Sequence, residues 1–216
     1  MSSVSLSIDG QSVQAESGDT ILDVILKLGT ELPHLCKDPD QPPLATCRTC
    51  LVEIDGQYGV QAACTTRVES GLVVLTQSAN AVRLRRGVLQ LTLDMLGQSD
   101  LQLLGELGIA ADAHGIVGSS VQYAVGPASL DDSNPFWVLD RDRCILCQRC
   151  VAACQDVQRI YALTVLDRSA ETSIGVFDHR LIAESNCTSC GQCWATCPSL
   201  AIRQKHPLSA ESPVSQ

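Results

Sequence analysis

"CILCQRCVAAC" (residues 144–154) and "CTSCGQCWATCP" (residues 187–198) carry one cysteine rhythm twice, and that repeat decides how the C-terminal half is read. In each run three cysteines stand three apart and a fourth follows four residues later: Cys144, Cys147, Cys150 and Cys154, then Cys187, Cys190, Cys193 and Cys197, the second closed by Pro198. Twelve cysteines in 216 residues are many. A disulfide framework would imply secretion, yet "MSSVSLSIDG" has no basic n-region and no apolar h-region, so no export signal is read. No apolar run approaches the ~18 residues of a membrane span, so the chain reads as cytoplasmic with no direct membrane insertion. A net charge of −9 and few aromatics leave neither a basic stripe nor stacking platforms, so no nucleic acid is expected as a partner.

Nucleotide and catalytic signatures are missing too. There is no G-x-G-x-x-G and no G-x-x-x-x-G-K-[ST], so no nucleotide or flavin is expected on this chain. His34, His114, His179 and His206 are scattered outside any nucleophile or H-E-x-x-H motif and read as loop or surface histidines. No catalytic residue is assigned, and the chemistry falls to the sulfurs. The two runs follow the C-x2-C-x2-C-x3-C-P pattern of bacterial two-cluster ferredoxins, in which three close thiolates hold one cubane and the fourth reaches the other. Each run is incomplete alone, which is why there are two. One [4Fe-4S] centre is assigned to Cys144, Cys147, Cys150 and Cys197, the other to Cys187, Cys190, Cys193 and Cys154. Zinc, the alternative, favours paired C-x2-C units over interlocked triplets. Trp194, between two ligands, is expected to shield its cluster from water.

A second cysteine set lies near the N-terminus: Cys36, ten residues, Cys47, two residues, Cys50, thirteen residues, Cys64. Plant-type ferredoxins use C-x4-C-x2-C and a distant fourth cysteine, so this is a variant with a longer first gap, and it argues for a [2Fe-2S] site, with zinc again the alternative. The loop "CKDPDQPPLATCRTC" has three prolines and small residues near Cys47, suited to rigid wrapping of a cluster. Around it, "SVSLSIDGQSVQAE" alternates about Asp9-Gly10, a hairpin turn dipeptide. Thr20 and Asp23 form a capping-box variant for a helix whose Ile21, Val24, Ile25 and Leu28 share a face before Gly29 stops it. "CLVEIDGQYGVQA" turns at Asp55-Gly56, and "GLVVLTQ" adds a last strand. The expected class is α+β: a beta-grasp [2Fe-2S] ferredoxin-like domain over residues 1–78, a helical segment and connector over 79–135, a two-[4Fe-4S] ferredoxin-like domain over 136–205, and a polar, disordered tail over 206–216. Arg83, Arg85 and Arg86 read as a solvated helix face, with a docking patch for an acidic partner as the alternative.

With "TCRTCLVEIDG", "SNPFWVLDRDRCILCQRC" and "CTSCGQCWATCP" in place, the chain resembles, over residues 3–205, the iron-sulfur subunit in the diaphorase module of NAD-linked [NiFe]-hydrogenases. It is similar, more distantly, to the N-terminal part of the large iron-sulfur subunit of respiratory NADH dehydrogenase, to NAD-dependent formate dehydrogenases and to multi-cluster iron-only hydrogenases. The resemblance implies an electron wire. A flavin- and NADH-binding iron-sulfur partner carries FMN, and this chain relays electrons singly to a separate catalytic subunit. Because the sequence stops soon after Ile202, that catalytic site is expected on another chain. Family members carry a further [4Fe-4S] site held by one histidine and three cysteines, but Thr65 to Arg143 contains no cysteine. "LDMLGQSDLQLLGELG" looks like that region with its ligand loop removed and its helices rejoined at Gln98 and Ser99, and His114 alone cannot hold a cubane.

The leading reading is therefore an electron-transfer subunit of an NAD(P)-linked [NiFe]-hydrogenase. A split formate dehydrogenase or complex I-like NADH dehydrogenase is the alternative within the class. From other classes come an iron-sulfur sensor, whose sites should be incomplete, and a zinc-stapled scaffold. The twelve cysteines are consumed by three full sites.

Overall fold

The computed structural model describes residues 3–96, 100–121 and 130–205. Strands β1 (Ser3–Ile8) and β2 (Gln11–Glu16) pair antiparallel with Ile8 opposite Gln11, and Asp9 and Gly10 supply the two positive φ angles, 50° and 85°, of a tight turn. Helix α1 (Ile21–Lys27) opens on the expected box: Asp23 N donates to Thr20 Oγ1 at 3.1 Å and Thr20 N to Asp23 Oδ2 at 2.9 Å. Seven residues make a marginal helix in isolation. Burial of Ile21, Leu22, Val24 and Ile25, worth about 1.5–3 kcal/mol each, holds it in place against Leu6, Ile8, Val52 and Val74. Leu28 departs from the expected face: the helix ends at Lys27, Leu28 falls past the last turn and is half-exposed, and Leu22 takes its place inside.

Strands β3 (Leu51–Ile54), β4 (Val60–Ala62) and β5 (Val73–Leu75) complete a five-stranded sheet of order β2-β1-β5-β3-β4. Only β1 and β5 run parallel, and α1 with the cysteine loop crosses between the two sheet halves. Asp9 closes this sheet by accepting from Thr76 N at 2.7 Å and Thr76 Oγ1 at 2.6 Å, just past β5. The second hairpin turns through residues 55–59 rather than at Asp55-Gly56 alone, because Gly56 and Gly59 both adopt positive φ.

Helix α2 (Ala79–Leu96) and, after a 3-10 turn over Leu101–Leu104, helix α3 (Gly105–Ala113) form a second core with Leu89, Leu93, Leu104, Leu107 and Leu35. Gly108 is required where α3 folds back, since a Cβ there would lie 1.9 Å from Leu101 O. The expected junction at Gln98 and Ser99 lies outside the described residues, as do the tail and His206. The arginine expectation needs correction. Arg83 and Arg86 are exposed, but Arg85 is 2% exposed, turned into the chain where its Nη1 donates to Leu51 O at 2.8 Å. Helical spacing puts Arg85 on the stripe of Ala81, Leu89, Leu93 and Leu96, and that stripe faces inward.

In the C-terminal part, β7 (Trp137–Asp140) is the middle strand between β6 (Leu130–Asp131) and β10 (Ile202–Gln204), with β8 (Thr164–Leu166) and β9 (Ser173–Gly175) as a separate ribbon. Short helices α4 (Arg149–Ala152) and α5 (Gln192–Ala195) each start inside a cysteine run. The fold is α+β. Among the described residues no helix is long and apolar enough to cross a membrane.

Candidate iron-sulfur centres

The cysteine repeat is also a backbone repeat. Leu146 and Ser189, each directly before the second cysteine of its run, have φ of 55° and 56°, and Gln148 and Gly191, directly after it, have 66° and 84°. Arg48, between Cys47 and Cys50, has 55°. Alternation of left-handed and ordinary residues turns successive backbone N–H groups to one side, making an anion-binding concavity of the kind that surrounds iron-sulfur sites. Gly191 is additionally forced, because a Cβ there would lie 2.7 Å from the Trp194 indole nitrogen.

Cys36, Cys50 and Cys64 are buried and Cys47 half-buried, brought together by the loop before β3 and the end of β4. Ala63 N donates to Cys50 O at 3.0 Å, tying two ligand segments, while Leu35 N bonds Thr49 Oγ1, which itself lies 3.1 Å from Cys47 Sγ. The four thiols compete for protons. Hydrogen bonds from Cys47 and Cys64 hold Cys36 far below the ordinary thiol range, the bond from Cys64 lowers Cys50 to about 7, and Cys47 and Cys64 are driven up as the donors. Four thiolates so close cannot all ionise alone; metal coordination removes the protons and supplies the missing positive charge.

The other eight cysteines divide across the runs. Cys144, Cys147, Cys150 and Cys197 line one cavity, and Cys154, Cys187, Cys190 and Cys193 line another. Cys154 sits in the π turn over Ala153–Val157 that continues α4, and Cys197 lies two residues past the end of α5. Burial pushes Cys144 up to about 11 and Cys147 and Cys193 up to about 12; the field of Cys197 adds to the first two, those of Cys187, Cys190 and Cys154 to the third. Cys150 is raised well above its usual value, chiefly by burial. Thiolates in this packing need a cationic partner. Donors already point at the sulfurs: Ala162 N to Cys154 at 3.3 Å, Ile202 N to Cys197 at 3.4 Å, Ser189 N to Cys187 at 3.4 Å. Among the described residues no three His, Cys, Asp or Glu side chains converge on a point that one ion could occupy. The eight C-terminal cysteines instead line two cavities, four to each.

Trp194, expected as the shield, is half-buried and packs against the core that contains Cys154 and Cys193, and Trp137, 1% exposed, lines the cavity. None of the described histidines joins a sulfur group. His34 Nδ1 pairs with Leu32 O, His114 lies between Arg85 and Ala110 O, and His179 pairs with Asp167 at the surface.

The sulfur groups meet at a junction that the sequence pattern does not reveal. Thr46, next to Cys47, donates from Oγ1 to Cys147 O at 3.2 Å. Arg149, 3% exposed between Cys147 and Cys150, makes a two-point pair with Glu106 on α3 (2.9 and 3.0 Å) and also donates to Thr196 O and to His34 O. Thr196 in turn donates to Asp38. One buried guanidinium thus touches the loops before Cys36, Cys150 and Cys197. The adjacency of Thr46, Arg149 and Thr196 to cysteines was the available signal; their partners, distant in sequence, were not.

Comparison with known proteins identifies two iron-sulfur domains in the chain. Residues 1–79 match a 2Fe-2S iron-sulfur cluster binding domain and residues 143–201 a 4Fe-4S dicluster domain. Among curated relatives, the NADP-reducing hydrogenase subunit HndD of Solidesulfovibrio fructosivorans is 31% identical over 94% of this chain and 36% of its own length. An NADH-quinone oxidoreductase subunit of Rhizobium meliloti is 31% identical over 92% of this chain and 24% of its own. The alpha subunit of the NADPH-Fe(3+) oxidoreductase of Geobacter sulfurreducens is 34% identical over 94% and 24%. The chain spans between 20% and 36% of the length of the curated relatives it matches. Among solved structures, a chain of an NAD+-reducing [NiFe]-hydrogenase in the H2-reduced state superposes with a TM-score of 0.84 at 26% identity, covering 100% of this chain and 91% of that one.

Proposed function

We propose, from the premise that the chain joins a 2Fe-2S cluster-binding domain to a 4Fe-4S dicluster domain and so binds one [2Fe-2S] and two [4Fe-4S] clusters, that it is the electron-relay subunit of an NAD(P)-linked [NiFe]-hydrogenase. A flavin- and NAD(H)-binding subunit lies on one side and a separate catalytic subunit on the other, in the cytoplasm. The observation that carries the hydrogenase reading is the fold match to a chain of an NAD+-reducing [NiFe]-hydrogenase, with a TM-score of 0.84 at 26% identity. In this reading residues 1–78, 79–135 and 136–205 are successive functional units. Cys36, Cys47, Cys50 and Cys64 hold the [2Fe-2S] centre; Cys144, Cys147, Cys150 and Cys197 hold the first cubane; Cys187, Cys190, Cys193 and Cys154 hold the second.

Bound clusters supply one-electron redox chemistry. Everything else is supplied by this chain's residues. The Thr46 hydroxyl bridges the [2Fe-2S] loop to Cys147, so a bonded path between the N-terminal and first cubane sites passes through that hydrogen bond. Arg149 and Glu106 hold the loops in register. Apolar walls exclude water, and backbone donors at Cys154, Cys187 and Cys197 favour added negative charge on the sulfurs. Cys190, exposed at the edge of the second site, supports an exit toward the catalytic partner there.

Purifying the native complex anaerobically tests this. About ten irons and ten acid-labile sulfides per chain are expected, with co-purifying hydrogenase subunits and H2-dependent reduction of NAD(P)+. Formate-dependent reduction would give the role to a formate dehydrogenase, and stoichiometric zinc without sulfide would sink the reading altogether.

A further inference from the structure

The C-terminal core contains a hydrogen-bond donor that nothing described in the chain answers. Trp137 is 1% exposed and its indole Nε1 has no acceptor among the described residues. A buried N–H left unpaired is a costly defect, and most native proteins avoid it. Trp137 also lines the cavity walled by Cys154, Cys187, Cys190 and Cys193.

We propose that the Trp137 indole N–H donates a hydrogen bond to a sulfur of the centre held by those four cysteines, and that it sets that centre's reduction potential above the value its cysteines alone would give. The inference rests on the ligand reading above. Its further support is an asymmetry within the repeat. Trp137 and Leu139 point to the same buried side of β7, two residues apart, and each lines one of the two cavities. The two sites share their cysteine rhythm and left-handed turns, yet β7 gives one an N–H donor and the other a hydrocarbon. One-electron reduction puts added negative charge partly on sulfur, and a donor bond to a more negative acceptor is stronger, so Trp137 favours the reduced form. The electron comes from an external reductant, dithionite in the test; one ferric equivalent becomes ferrous, and the indole keeps its proton.

The test is Trp137→Phe in the full, cluster-loaded chain, since phenylalanine removes the N–H and keeps an aromatic wall. In an EPR-monitored potentiometric titration, the reduced-to-oxidised ratio of the Cys187, Cys190, Cys193 and Cys154 centre at fixed potential should fall about two- to tenfold, up to ~59 mV for a one-electron couple. The Cys144, Cys147, Cys150 and Cys197 centre should not move. An unchanged ratio in the first, or an equal shift in both, overturns the proposal. Should Trp137→Phe lose the cluster, chain carrying indole-15N tryptophan decides by pulsed EPR of the reduced centre. A 15N coupling that persists in Trp194→Phe supports the bond; no coupling in the wild-type chain, or coupling abolished by Trp194→Phe, overturns it. A wild-type chain with no second cubane signal at all defeats the ligand reading itself and takes this inference with it, a result distinguishable from an unshifted potential.

Discussion

Glu106→Ala should loosen the junction between the N-terminal site and the cubanes without unfolding either side. Arg149 is 3% exposed in its side chain and Glu106 50%, so the pair is buried on one side only. Removing one partner of a fully buried pair costs about 3–5 kcal/mol, and exposed pairs are worth about 0.2–1 kcal/mol. Water can reach the Glu106 side but not the rest of the guanidinium, whose Nε already lacks a partner among the described residues. About 1–2 kcal/mol is therefore expected, a factor of roughly 5–30 in local opening. Hydrogen exchange on the loaded chain reads it. Lys37 N, bonded to His34 O, and Leu107 N, bonded to Pro198 O, should exchange faster by that factor, while β1 and β2 amides keep their protection. Glu106→Gln, which keeps one acceptor, should show a smaller change. Unchanged exchange at Lys37 and Leu107 with full iron content, or equal acceleration throughout the first sheet, would refute the clip.

Other outcomes follow from the same geometry. Cys197→Ala should perturb the same spectroscopic centre as Cys144→Ala; behaviour like Cys187→Ala would show that the fourth ligands are not exchanged. Arg85 is 2% exposed, takes part in none of the ion pairs among the described residues, and donates to Leu51 O beside Cys50. Arg85→Gln removes a positive charge on the [2Fe-2S] side and should thus disfavour the reduced form, by about tenfold for a charge ~12 Å away at an effective dielectric near 20, while Arg85→Lys should largely preserve it in the same redox titration. His114 is held below its ordinary 6.5 first by burial and then by the Arg85 charge, against a raising bond to Ala110 O. The folded state therefore binds this proton less readily than the unfolded chain, so stability should fall as pH drops below about 6.5; melting curves of His114→Gln between pH 7.5 and 5.5 should be flatter than wild type. The isolated chain should neither bind nor oxidise NADH, and tight binding by calorimetry would overturn that division of labour.

Local chemistry was legible in the sequence. The cysteine triplets, the Asp9-Gly10 turn, the Thr20–Asp23 box and the α+β order all depend on residues within a few positions of one another, where spacing and φ preference act directly. What only the tertiary structure decided involves partners far apart in the chain. Arg85 looked like its exposed neighbours Arg83 and Arg86; its spacing with Ala81 and Leu89 put it on the inward stripe of α2, but its acceptor, Leu51 O, came only from the packing of α2 on β3. Trp194 held the conspicuous place between ligands, and strand pairing added Trp137 to the cavity wall. Thr46 reaches Cys147 across 101 residues and Arg149 reaches Glu106 across 43. Such contacts have no period or spacing, because they depend on how separately formed elements dock, and docking is set by the summed burial of whole faces rather than by any local run of residues.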